Sequence, residues 1–325
     1  MLMPEEIVPN LFRIEIPLPG SPLKYLNSYV VSSDDRNLVI DTGLNRKECA
    51  EAMLAGLREL NLDLGRTDFF ITHMHADHFG LVSKLATESS RVFFNRPEME
   101  IIEARGGWEP MVSYARMNGF PEDELRAALR NHPGYRYSPD WVPELSLLED
   151  GDILEVGDYA FRCVETPGHT MGHICLYEAR RELLVAGDHI LIDITPNIQC
   201  WSPKGDPLKD YLASLDKVHG LEVRLVLPGH RRLLHDHRAR IEELKRHHER
   251  RAAEVLSILD GRPSSAYEVA SHMTWDIAFD SWDRFPPAQK WFATGEAIAH
   301  LRYLEEMGEL YRVEDHRGVA LFGRR

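Results

Sequence analysis

Four side chains able to bind a metal ion fall within six residues of one stretch, Thr72-His73-Met74-His75-Ala76-Asp77-His78. Imidazole and carboxylate in this mixture suit zinc first, with iron or manganese as alternatives. The apolar run Phe69-Phe70-Ile71 just before it predicts a short buried strand. Gly80-Leu81-Val82, just after it, opens a helix expected over residues 80–87. The stretch then sits where a strand ends and a helix begins, which is where open α/β sheets place their sites. His73 and His75 are two apart, so an extended backbone points them the same way. Asp77 and His78 turn away as the helix begins. One ion does not easily take all four from so short a segment. Two ions can, with His73 and His75 on one and Asp77 and His78 on the other.

The rest of the chain offers more ligands of the same kind, each after an apolar run. Thr166-Pro167-Gly168-His169-Thr170 presents His169 after a strand-like segment over residues 159–164. Leu184-Val185-Ala186-Gly187 ends in Asp188, and Leu225-Val226-Leu227-Pro228-Gly229 ends in His230. Leu38-Val39-Ile40 ends in Asp41 in the same way. Five strand ends converging on one edge would build one polar, metal-binding mouth over an apolar sandwich.

Taken in order, HxHxDH, TPGHT, GD and PGH resemble the metallo-β-lactamase-fold hydrolase superfamily, over roughly residues 5–235. The resemblance implies an α/β (α+β) fold, a four-layer αββα sandwich with a two-metal site. By position, one ion would take His73, His75 and His169, and the other Asp77, His78 and His230, with Asp188 bridging both. Asp41 matches an acid that hydrogen-bonds a ligand histidine and so fixes its tautomer. The chemistry implied is hydrolysis by a hydroxide shared between two divalent cations. Asp77 would orient that hydroxide and carry its proton to the leaving group.

The substrate class is less constrained. β-Lactam hydrolysis is disfavoured, because no export signal is seen and Asp188 matches the bridging acid of the wider hydrolases. A one-iron dioxygenase would not need His78 and His230, and a flavin-linked diiron carrier would need a flavin domain. A thioester or ester hydrolase like the glyoxalase II group is favoured. A phosphodiesterase acting on RNA is the alternative, and an inactive nucleic-acid-binding sensor the third reading.

The elements that must position these groups can be read in turn. Strands are expected over residues 11–16, 25–31, 38–40 and 152–156, and helices over residues 45–60 and 207–218. Residues 95–145 interrupt the sandwich as a helical insertion, with helices over 97–104 and 121–130 and breaks at Gly106-Gly107 and His132-Pro133-Gly134. It is rich in aromatics, and either covers the mouth or packs on the side of the sandwich. Arg116 and Arg136 are read as solvated before being read as anion contacts. In the loop after Asp188, His189, Trp201 and Lys204 are candidates for the pocket wall. Residues 1–240 are read as the catalytic domain and 241–325 as a C-terminal one. The latter opens with a long helix whose stripe includes Ile241, Leu244, His248 and Val255, so His248 is read as core and His247 as solvated. A short helix capped by Ser264 or Ser265, a helix over 288–307 and a terminal hairpin complete it. That order resembles the winged-helix domain of a lactamase-like subgroup.

Composition narrows the partners. The 325 residues carry a formal net charge of −14, so the global field disfavours nucleic acid. A small molecule is the expected partner, anionic because the two cations would favour negative charge locally despite the acidic chain. Cys49, Cys163, Cys175 and Cys200 show no CxxC pairing and fit reduced thiols in a cytoplasmic protein. Residues 1–10 carry acids and prolines instead of a basic region and an apolar one, so no secretory signal and no membrane segment are expected. A homodimer is compatible with the sequence.

Overall fold

The computed structural model describes residues 3–104, 107–276, 279 and 281–325. Its first sheet follows chain order: β1 (Glu5–Val8), β2 (Leu11–Pro17), β3 (Tyr25–Val31), β4 (Asn37–Ile40), β5 (Thr67–Phe70), β6 (Val92–Asn95) and β7 (Leu145–Leu148). Short turns make β1 to β4 antiparallel, while longer crossovers make β4 to β7 parallel. The second sheet holds β8 (Ile153–Val156), β9 (Tyr159–Glu165), β10 (Ile174–Glu178), β11 (Leu183–Gly187) and β12 (Leu225–Pro228), in the order β12-β11-β10-β9-β8. Within it, β11 and β12 run parallel and the other pairs antiparallel.

The two sheets stack face to face. Leu38, Ile40 and Phe70 point into the interface, where they meet Phe161, Ile174, Leu176, Val185 and Leu227. Val39 and Phe69, one residue out of step, point to the opposite face and pack beneath helices. Both faces are therefore buried, which is why these strands read as continuous apolar runs instead of alternating ones.

Helices α1 (Lys47–Glu59), α2 (Ala76–Phe79) and α3 (Val82–Leu85) cover the outer face of the first sheet. The single helix expected over 80–87 is thus two one-turn helices, and the first begins four residues early. His75 is extended and its carbonyl accepts the N–H groups of both His78 and Phe79, so the metal-binding stretch itself winds the first turn. Asp77 and His78 lie inside that turn.

The insertion is the crossover between β6 and β7. It comprises α4 (Arg96–Glu103), α5 (Glu109–Met117), α6 (Glu122–Asn131) and α7 (Pro133–Arg136). Helix α5 is not among the helices expected from the sequence; its Pro110 stands in the first turn, where proline is tolerated. Gly106 of the expected break lies outside the described residues. Arg116 pairs with Glu109 and Glu122, and Arg136 lies over the ring of Tyr137.

On the second sheet's outer face lie α8 (Pro207–His219) and α9 (His237–Ile258), with α10 (Ala266–His272) and α11 (Pro287–Glu306) beyond them. The hairpin β13 (Leu310–Glu314) and β14 (Ala320–Arg324) closes the chain. Of the two candidate caps, Ser265 is the one used, in a reciprocal box with Glu268. Helix α11 is buried on several sides: α9 and α10 flank it, and α6 packs on it, with Phe120, Leu125, Ala128 and Trp291 in one apolar cluster. Lys290 is only 4% exposed, and its Nζ lies 2.7 Å from Glu124 of α6. Among the described residues, no helix is long and apolar enough to cross a membrane.

Candidate metal centre

The carboxyl ends of β4, β5, β9, β11 and β12 meet at one edge of the sandwich. Backbone bonds stitch the sheets together there: Ile174 N–H donates to Thr72 O at 3.0 Å, and Asn27 N–H to Gly229 O at 2.7 Å. Asp41, His73, His75, Asp77, His78, His169, Asp188 and His230, all named from the sequence, converge at this edge. Three sets of side chains have ligand atoms within 4.8 Å of one another: His73, His75 and His169; His73, His78 and Asp188; and Asp77, His78 and His230.

Hydrogen bonds decide which ring nitrogen each histidine offers. His78 Nδ1 donates to Asp41 Oδ2 at 2.7 Å, His169 Nδ1 to Asn197 O at 2.9 Å and His230 Nδ1 to Tyr25 O at 2.8 Å. Thr72 Oγ1 donates to Asp41, so it accepts from His73 Nδ1 at 3.0 Å. Each of these four rings therefore turns Nε2, the nitrogen an ion would take, into the mouth. His75 is opposite and offers Nδ1, which lies 3.0 Å from both His73 Nε2 and His169 Nε2.

Lone pairs facing one another at that distance repel unless a cation stands among them. The acid at the centre divides in the same sense. Asp188 Oδ1 lies 3.5 Å from His78 Nε2 and from His230 Nε2, while Oδ2 lies 3.7 Å from His169 Nε2. Asp188 Oδ1, His78 Nε2 and His230 Nε2 are buried with no hydrogen-bond partner. Such orphans are costly in a packed interior and are expected where an ion is bound. A side chain on Gly229 would fill this space, since its Cβ would stand 2.7 Å from Asp188 Oδ1 and 2.8 Å from His78 Cε1.

The electrostatics match a cation site. Burial pushes His75 down to about 3 and drives His73 and His169 down as well, so these rings are neutral. Burial works against a charge on His230 too, but Asp188 and Asp77 outweigh it and raise that ring to about 10. His78 is raised likewise against burial, by Asp41 and Asp188. Burial would raise Asp77 and Asp188, yet their histidine neighbours hold both below the usual carboxylate range.

Two positioning groups, His173 and Glu98, and one group beside the mouth, His132, were not singled out for the site in the sequence. His173 accepts the Asp188 N–H at Nε2 (3.2 Å) and bonds Thr166 Oγ1 through Nδ1 (2.8 Å), which fixes the Asp188 backbone. The run from His169 to His173 on one loop was its signal. Glu98 and His132 had none, because both lie on insertion helices or their edges with nothing local to mark them. Of the pocket-wall candidates, Trp201 stacks on Trp291 at 3.9 Å, Lys204 is exposed, and His189 is buried behind Asp188 with Tyr211 Oη donating to its carbonyl. His248 is buried against His300, as its core reading expected.

These features define a metal-dependent hydrolase architecture, and comparison with known proteins specifies which. A family model described as the metallo-beta-lactamase superfamily matches residues 23–230, and one described as the metallo-beta-lactamase-like C-terminal domain matches residues 252–325. The chain belongs to the metallo-beta-lactamase superfamily and is a hydrolase of it. It is similar to the probable metallo-hydrolase YqjP of Bacillus subtilis, 29% identical over 81% of this chain and 85% of that one. It is also similar to the human acyl-coenzyme A thioesterase MBLAC2, 29% identical over 63% of this chain and 72% of that one. Among solved structures, the metallo-beta-lactamase family protein TTHA1429 of Thermus thermophilus superimposes with a TM-score of 0.82 at 31% identity, covering 98% of this chain and all (100%) of that one.

Proposed function

We propose that this protein is a two-metal thioesterase acting on a small acyl thioester. The observation that carries the reading is the division of Asp188: one oxygen faces His78 and His230, the other faces His169. One ion, zinc by ligand type, would be held by His73, His75 and His169, and a second by Asp77, His78 and His230, with Asp188 shared. Such a pair supplies an acidified water and a positive field for the developing oxyanion.

The chain's own residues do the rest. Asp77 is partly exposed, 17% accessible at its side chain. Held ionised by His230 and His78, it takes the proton of the attacking water and delivers it to the leaving sulfur. Asp41 keeps His78 in the tautomer that leaves Nε2 free.

The wall beside the mouth supports an apolar acyl group. Helix α7 packs on α2, which carries Asp77, and brings His132 with it. His132 contacts Trp108 and Phe292, with ring centroids 4.8 and 5.1 Å away, and burial pushes it down to about 4, so it is uncharged. Several cations of this part of the chain are paired: Arg116 with Glu109 and Glu122, Lys290 with Glu124, and Arg232 with Asp193. Lys290 is thereby removed from any basic stripe on α11, which weighs against nucleic acid despite the helix–helix–helix–hairpin order of the C-terminal unit. Four buried, unpaired cysteines fit a cytoplasmic setting.

The test is a panel of acyl thioesters of increasing chain length beside a single-stranded RNA. Thioester turnover lost on chelation and regained with zinc supports the reading. Cleavage of RNA with no thioester turnover overturns it.

A further inference from the structure

Glu98 is a carboxylate with no exposed surface, on α4 of the insertion and outside the set of metal-competent side chains. Its Oε2 accepts the N–H of Met74 at 2.6 Å, and its Oε1 the N–H of Gly172 at 3.2 Å. Met74 stands between His73 and His75. Gly172 follows His169 by three residues and precedes His173, the ring that holds the Asp188 backbone. One side chain therefore ties together two loops whose strands lie in different sheets. Asn95 completes the arrangement: its Nδ2 donates to Glu98 Oε2 at 3.2 Å, and its Oδ1 caps α4 by accepting the Glu98 N–H at 2.8 Å. The fit is close enough to require glycine at 172, since a Cβ there would stand 1.8 Å from Asn95 Oδ1 and 2.9 Å from Glu98 Cγ.

We infer that Glu98 is a positioning residue for the first metal site, holding His73, His75 and His169 at the spacing one ion requires. The inference rests on the two-metal reading and adds an asymmetry to it. The second site, Asp77, His78 and His230, is braced by Asp41 and Tyr25 instead, so loss of Glu98 leaves it standing. Burial raises the Glu98 carboxyl above its ordinary value, while the donors from Asn95, Gly172 and Met74 favour its charged form; an ionised Glu98 holds both loops more strongly than a neutral acceptor would, because hydrogen bonds to ionised groups are roughly twice as strong. Isosteric amide substitution therefore separates charge from shape: Gln puts an NH₂ where one of the backbone N–H groups now finds an acceptor.

The experiment is metal binding by chelator competition on the wild-type protein and Glu98→Gln, with elemental analysis and the absorption spectrum of the Co²⁺-substituted form. Circular dichroism of each chelated sample checks the fold. The expected result is a wild type holding about two ions and a Glu98→Gln variant that binds one of them about 10- to 100-fold more weakly, with the other unchanged. Asn95→Asp is the second variant: it preserves the helix cap but sets a carboxylate against Glu98 and removes the Nδ2 donor. It should weaken the same ion in the same direction, whether or not Glu98→Gln folds. Equal weakening of both ions, or none in either variant, overturns the role of Glu98. A wild type that binds no ion overturns the metal reading itself, which is a separate outcome.

Discussion

Asp41 accepts the Nδ1–H of His78 at 2.7 Å, from a backbone held in the left-handed region (φ 60°). That conformation is tolerated by aspartate and turns its carboxylate back toward Thr72 and His78. The same carboxylate accepts from Thr72 N–H at 2.8 Å and from the Thr72 hydroxyl, which in turn orients His73. One acid thus sets the tautomer of a histidine in each proposed ion site. Asp41→Asn can present an NH₂ where His78 needs an acceptor, so metal affinity should fall about 10- to 100-fold in a chelator titration. Unaltered affinity would mean that the packing of His78 alone fixes its ring.

Asp188 should matter more. Asp188→Asn preserves volume but removes the charge shared between the two histidine groups. The expected outcome is loss of at least one bound ion and a fall in turnover of about 100-fold or more. Elemental analysis paired with kinetics on one preparation checks both.

Trp291 joins the C-terminal unit to the pocket wall. It stacks on Trp201 at 3.9 Å and lies near His132, with ring centroids 6.3 Å apart. Trp291→Ala should cost about 3–5 kcal/mol of stability and raise KM for acyl thioesters, with metal content unchanged. Trp291→Phe should restore most of both. Thermal unfolding and steady-state kinetics separate the two effects.

Much of the metal edge was legible because its ligands are close in sequence and each follows an apolar run. His73, His75, Asp77 and His78 needed no tertiary information beyond a strand end. The helix after them was misplaced, since the turn begins on the carbonyl of His75, a backbone event that no residue type announces. Glu98 was illegible for another reason. A buried acid on a helix reads as a solvated one until the fold brings Met74 and Gly172 to it. The same holds for α11, whose burial on several sides makes sense only when α6 is seen against it.

His300 gives a pH dependence away from the metal edge. It is buried on α11 against α9, with Nδ1 bonded to Glu296 O and Nε2 3.2 Å from His248 Nδ1; Arg251, paired with Glu296, adds positive charge nearby. Burial pushes it down to about 4. An unfolded histidine titrates near about 6.5. As pH falls through that window the unfolded chain takes up a proton that the folded chain refuses, so stability falls, by up to about 1.4 kcal/mol per pH unit. His300→Gln should flatten this slope. The melting temperatures of wild type and variant, compared at each pH, isolate the effect from the ligand histidines.

The most direct test of the account is metal content and thioester turnover measured on the same purified protein, before and after chelation. A two-metal thioesterase should hold about two zinc ions per chain, lose turnover when both are removed, and recover it only when both return. Full turnover by a protein carrying one ion or none would contradict this reading.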